Sequence, residues 1–110
     1  MYTEKEFFVW VTRNKFTEVQ LALMQGRDVD KRDDFGNTAL MRAAQNGHFR
    51  MAKLCFKFDA EPNVQNHQGN TALHFAIGYK YSRVVELLRE HGADDLVMNN
   101  KGVPASKGLE

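Results

Sequence analysis

The pentapeptide GNTAL occupies residues 36–40 and recurs at residues 69–73, a step of 33 (69 minus 36). The same step pairs Ala43 with Ala76, Arg50 with Arg83 and Leu54 with Leu87. One step further on, Ala60 pairs with Ala93, Asn66 with Asn99 and Gly69 with Gly102, while Gly26 and Asp28 match Gly92 and Asp94 two steps away. The register therefore holds from Gly26 to Gly102. Traced backward from Leu40 it reaches Phe7, with Trp10 in the place of Ala43, Val19 in that of Ala52 and Leu21 in that of Leu54, so this stretch keeps the apolar pattern and loses the signature. A period of this size constrains the chain to an array of one supersecondary unit, because a single unit cannot bury its apolar faces without a neighbour.

Each unit reads as a turn, a short helix, a tight corner and a second helix. Thr38 and Thr71 suit helix N-caps, since a hydroxyl can accept a hydrogen bond from an orphaned backbone N–H of the first turn. Leu40, Ala43 and Ala44, like Leu73, Ala76 and Ile77, recur at helical spacing on a stripe of small residues that permits close packing. Gly47 suits a left-handed corner at the end of the first helix. The second helices carry Phe49, Ala52, Leu54 and Cys55, and then Val84, Val85, Leu87 and Leu88, with polar residues between. The register divides the chain into an N-terminal capping repeat at 1–25, central repeats at 26–58 and 59–91, and a degenerate C-terminal unit at 92–110.

Composition excludes several classes of function. Fifteen basic residues against 14 acidic ones leave a formal charge of +1, so no summed field draws nucleic acid or an anionic membrane. The one cysteine, Cys55, allows no internal disulfide and no multi-cysteine zinc site, which fits an intracellular, cytoplasmic setting. The most apolar run, at residues 7–11, falls far short of the roughly 20 residues of a membrane helix. It reads as neither a signal peptide nor an anchor. No Cys/His or Ser/His/Asp arrangement and no glycine-rich phosphate motif is legible, so no catalysis and no cofactor are expected. Cys55 shares its register with Leu88 and reads as a small buried hydrophobe.

With the residues in this register, the chain resembles the ankyrin repeat. The matching stretches are GNTALMRAAQNGH at 36–48, GNTALHFA at 69–76 and VVELLREHGAD at 84–94. The resemblance covers about residues 26–102 well and 7–24 loosely. It implies an all-α solenoid of L-shaped helix pairs with protruding hairpins, about three repeats plus a degenerate C-terminal unit. It also implies a non-catalytic module that recognises a protein partner through the hairpin tips and the concave face of the first helices. Carried over by register, the partner-binding positions are Asp33, Asp34, Phe35 and Asn37 at one tip, with Arg42, Gln45 and Asn46 on the helix behind it. The next unit contributes Asn66, His67, Gln68 and Asn70, then Phe75 and Tyr79. His74 matches the histidine of the repeat signature and is expected to tie hairpin backbone through its ring nitrogens, and His48 at the Gly-His corner is read in the same way. His67, at a tip, has no second metal ligand at suitable spacing.

Several departures from the pattern carry consequences. Ala39 and Ala72 replace the usual proline, losing a pre-set helix start without steric harm. Lys80 stands in the register of Gly47, where a left-handed backbone is costly for a residue with a Cβ, so a differently shaped corner is expected there. Asp59 replaces a closing glycine, and residues 103–106 stand where a helix start is due, so the last helix should be short, altered or absent. Trp10 reads either as a concave-face anchor or, with Phe7, Phe8 and Val11, as a cap on the end of the stack. Tyr79 and Tyr81 either extend the concave patch or pack at the helix corner. A monomer is expected, with self-association through the N-terminal aromatic end as a competing reading; a scaffold unit and a stoichiometric inhibitor of a partner enzyme are the rival functions.

Two central repeats make a small stack, near the roughly three-repeat minimum for stability. The thermal midpoint followed by circular dichroism should therefore not exceed the mesophile range of about 45–65 °C.

Overall fold

Three threonines start helices in the computed structural model, which describes residues 1–110. The Thr3 hydroxyl accepts from the Glu6 N–H at 3.1 Å and opens α1 (Glu4–Thr12), and the Glu6 carboxylate reciprocates at 2.9 Å by accepting from the Thr3 N–H. Thr38 accepts from the Met41 N–H at 3.2 Å to open α3 (Ala39–Gln45), and Thr71 from the His74 N–H at 3.3 Å to open α5 (Ala72–Gly78). The second helices, α2 (Phe16–Met24), α4 (Phe49–Lys57) and α6 (Ser82–Glu90), have no side-chain cap. They are launched directly from the corners instead.

Those corners share one shape. Asn14, Gly47 and Lys80, spaced by 33, sit at φ of 60°, 67° and 65°. In each, the following N–H donates back across the corner, from Lys15 to the Trp10 carbonyl, His48 to Ala43 and Tyr81 to Ala76, at 2.8–2.9 Å. The altered corner expected at Lys80 is thus corrected: the lysine adopts the left-handed conformation of its glycine counterpart. The helix packing on either side dictates the turn, and the lysine bears the local strain.

The helix pairs stack in chain order. α1 packs on α3 and α3 on α5, each first helix also lies against its own second helix, and α4 meets α6. Small side chains make this possible: Ala39, Ala43, Ala44, Ala72 and Ala76 are all buried at the interface of first helices. The second helices contribute Met51, Ala52, Leu54, Cys55, Val84, Leu87 and Leu88 to the same core. On the back of the stack the Arg50 guanidinium lies 4.1 Å from the Phe16 ring, and one period later Arg83 lies 4.1 Å from Phe49. The result is an elongated all-α solenoid, 40 × 26 × 21 Å, with six α-helices and no strand.

The hairpins between units are joined by a ladder of short polar side chains. Asp33, Asn66 and Asn99 occupy equivalent positions, and the Oδ1 of each accepts from the N–H groups two and four residues ahead, at 2.9–3.0 Å. The Asn66 amide then donates 2.9 Å to the Oδ1 of Asn37 in the preceding hairpin, and Asn99 donates 2.8 Å to that of Asn70. Backbone bonds run alongside, from the His67 N–H to the Phe35 carbonyl and from Asn100 to Gln68. The hairpins approach so closely that a Cβ on Gly69, itself at φ 79°, would lie 2.7 Å from the Asn100 backbone nitrogen.

Both ends of the stack are covered from within the chain. At the C-terminal side the helix due after residue 103 is reduced to one 3-10 turn, Ala105–Lys107, laid over α5. His74 is fully buried; its Nε2 donates to the Val103 carbonyl at 2.8 Å and its Nδ1 accepts from the Thr71 N–H at 3.0 Å, tying the last hairpin to α5. At the N-terminal side Phe7 and Phe8 are buried, and Tyr2 packs 5.1 Å from the half-buried Trp10. Trp10 therefore belongs to the cap. The Arg27 guanidinium sits 3.6 Å from the Phe7 ring and donates 2.6 Å to Glu4; its Nε is buried without a hydrogen-bond partner.

Two outcomes follow from these contacts. Lys80→Gly should raise stability in urea denaturation by about 0.5–1 kcal/mol, as relief of the left-handed strain outweighs the added entropy of unfolded glycine. The hydrogen bond from Arg27, with its charge and that of Lys31, holds the Glu4 carboxyl below its ordinary value of 4.5 against an opposing desolvation. A depressed folded value contributes stability above 4.5 that is lost as the pH falls through it. Glu4→Gln should accordingly cost about 1 kcal/mol at neutral pH, the low end for a charge-assisted bond because water reaches the carboxylate. The deficit should close only in melts recorded at a pH well under 4.5, below the depressed folded value.

Candidate protein-interaction surface

A groove of about 460 Å³ opens between the second and third units on the side of the first helices. It is lined by Phe35, Asn37, Arg42, Gln45, Asn66, His67, Gln68, Phe75 and Tyr79. All nine are among the thirteen positions that the register assigns to a partner. Of the other four, Asp33 and Asp34 line a neighbouring groove, Asn46 is exposed with its amide donating to the Arg42 carbonyl at 2.8 Å, and Asn70 lies inside the hairpin ladder.

Proximity does not give these residues equal surroundings. Asn37, Asn66 and Asn70 are buried and joined to the ladder, Asn37 and Asn70 through Oδ1 and Asn66 through both Oδ1 and its amide, so they hold the hairpins together. Phe75 is only 8% exposed, because the Tyr79 ring stacks across it at 6.5 Å and 14°. It supports the wall from beneath. Asp33, Arg42 and Gln45 form a chain of internal bonds: Arg42 donates Nε and Nη2 to Asp33 Oδ2 at 3.0 and 2.6 Å and Nη1 to Gln45, whose amide donates to Asn37. The side chains left facing solvent are Asp34, Phe35, Asn46, His67, Gln68 and Tyr79. Phe35 is 66% exposed at a hairpin tip and Tyr79 is 51% exposed on the opposite wall. Tyr81, by contrast, is a corner residue, its ring filling the space beside Gly47.

The neighbouring groove, about 710 Å³, was not foreseen in the sequence. Phe35 and Arg42 are common to both grooves, and the new one adds Lys5, Phe8, Val9 and Thr12 from α1, Arg13 at its C-terminal cap, and Lys31 and Arg32 from the approach to the hairpin. A signal was present: stepping back 33 residues from Arg42, Gln45 and Asn46 gives Val9, Thr12 and Arg13. The lost signature of the first unit hid it.

Neither groove assembles a catalytic group. Burial pushes the Cys55 thiol up to about 12, so it remains a protonated core side chain. His48 donates Nε2 to the Thr12 carbonyl at 2.8 Å, bracing the first unit against the second. Burial raises the Asp30 carboxyl against the opposing hydrogen bond from the Glu61 N–H, yet Asp30 lines neither groove. No group of three His, Cys, Asp or Glu side chains converges as a metal site would require, and no helix is long and apolar enough to cross a membrane.

Comparison with known proteins agrees with this architecture. The family described as Ankyrin repeats (3 copies) matches residues 8–99. A putative ankyrin repeat-containing protein of Treponema pallidum is 38% identical over 84 residues, 76% of this chain and 28% of that protein. An I-Kappa-B like protein G1 of Microplitis demolitor bracovirus is 35% identical over 82 residues, covering 73% of this chain and 47% of the relative. A probable E3 ubiquitin-protein ligase of Oryza sativa subsp. japonica is 38% identical over 71 residues, 64% of this chain and 14% of its own length. The chain thus spans less than half the length of each of these relatives. With three helix pairs, a 33-residue register and a family match over most of its length, the chain belongs to the ankyrin-repeat family.

Proposed function

We propose that the chain is a non-catalytic recognition module that binds a segment of a partner protein across the groove between Phe35 and Tyr79. The observation that carries this reading is the placement of two large exposed aromatics on one groove whose remaining walls are held by internal bonds. Phe35 has no core to fill at its tip, and an exposed aromatic on a preformed surface loses little conformational freedom on binding. The ladder beneath supplies rigidity, while His67 and Gln68 offer donors and acceptors at the rim. Ankyrin repeats are generally protein-interaction modules, and the relatives above embed the same repeats in longer proteins of different names. This favours partner choice by exposed side chains over choice by the fold. A monomer is supported by the burial of Phe7 and Phe8 within the chain, which leaves that aromatic cluster with little to offer a second copy.

Affinity capture with the intact chain, beside a Phe35→Ala/His67→Ala/Tyr79→Ala variant of unchanged helical content, tests the proposal. Partners retained by the intact chain should be lost by the triple variant, and a Lys57→Ala control on the back of the stack should keep them. Retention of the same partners by the triple variant would remove this groove as the recognition site.

A further inference from the structure

The larger groove, beside α1, differs from the smaller one in charge. Five cations line it, Lys5, Arg13, Lys31, Arg32 and Arg42, against three acids, Glu4, Asp33 and Asp34. Arg42 is neutralised by Asp33 at 2.6 Å, and Lys31 lies 3.5 Å from Glu4, which also serves Arg27. Lys5, Arg13 and Arg32 form no ion pair, and Asp34 is the one acid in the groove without one. The local excess of free positive charge stands out against a chain whose formal total is only +1. In the smaller groove, by comparison, the one permanent charge is Arg42, and it is already paired.

The same groove exposes apolar surface between its charges. Val9 is 44% exposed although it stands on the inward row of first-helix positions, in register with Arg42 and Phe75, and Phe35 is exposed on the facing tip. A nucleic-acid backbone would gain nothing from an aliphatic floor, and a flat anionic surface could not enter a groove. An extended peptide that alternates carboxylates with an apolar side chain satisfies both features.

We propose that this groove binds an acidic, extended segment of a partner protein, with an apolar side chain against Val9 and Phe35 and its carboxylates facing Lys5, Arg13 and Arg32. The proposal rests on the chain being a protein-recognition module. Because Phe35 borders both grooves, a segment that crosses it would also reach the Tyr79 wall. Free charges at a rim act mainly on association rate and on rejection of wrong partners, so binding here should weaken as salt rises.

The test is fluorescence anisotropy with three labelled peptides: Asp and Glu residues around a central Phe-Leu, the same acidic frame around Ser-Ser, and a Lys/Arg frame around Phe-Leu. The first should bind about tenfold more tightly than either of the others, which corresponds to the discrimination of one good contact set. The Arg13→Glu/Arg32→Glu chain should lose at least that factor. Neither side chain makes an internal hydrogen bond or ion pair, so the fold should be unaffected. A Lys57→Glu/Lys107→Glu control, on residues outside both grooves, should bind as the parent does. Equal binding of the Phe-Leu and Ser-Ser peptides, or equal loss in both reversal variants, would overturn the proposal. So would tighter binding of a single-stranded oligonucleotide or of phosphatidylserine vesicles. If Arg13→Glu/Arg32→Glu still captures every partner that the Phe35→Ala/His67→Ala/Tyr79→Ala chain loses, this proposal fails and the general recognition reading stands.

Discussion

Every hairpin in this protein depends on one short polar side chain that performs two tasks. The Oδ1 of Asp33, Asn66 or Asn99 closes the turn it belongs to, and in the two asparagines the amide also reaches back to the hairpin before. These groups are mostly buried, so an unmatched one would cost about 1–3 kcal/mol. A longer side chain could not reach the same N–H groups, and an apolar one would orphan them. At Asp33 the carboxylate turns its second oxygen to Arg42.

Stacking follows from that alignment. Once the hairpins fix the spacing of the units, the alanine stripes of α3 and α5 meet flush and the second helices bury their larger side chains behind them. The paired Phe16–Arg50 and Phe49–Arg83 contacts repeat the same translation on the back. Helices of seven to nine residues would be marginal alone, so their persistence here comes from packing more than from propensity. The same logic places Lys80 in a left-handed corner: the stack determines where the chain must turn, and the residue conforms.

The surface reflects this division of labour. Residues that a repeat register marks as variable tips turn out to serve two purposes. Asn37, Asn66, Asn70 and Phe75 build the walls, and Asp33, Arg42 and Gln45 lock α3 to the hairpin of residues 33–37. What remains free is a sparse set, with Phe35 on the ridge between a neutral aromatic groove and a basic one. Rigid support under a few exposed groups is the arrangement in which binding is least opposed by ordering.

Much of this was legible in the residues alone. The 33-residue step established a repeated helix pair, the threonines marked helix starts, and residues 103–106 announced the truncated last helix. These are local matters: a cap, a turn or an apolar stripe acts over a few residues, and sequence spacing reports it directly. Which polar residues face solvent and which face the next hairpin was not legible, since Asn66 and Gln68 are equally polar and differ only in direction. Nor was the groove beside α1, because it joins residues 4–13 to residues 31–42, and the first unit carries no signature to align them. Sequence determined the period, the helix starts and the family. The stacking of one hairpin on another decided which side chains are spent inside and which remain exposed, because that depends on contacts between residues about 30 positions apart.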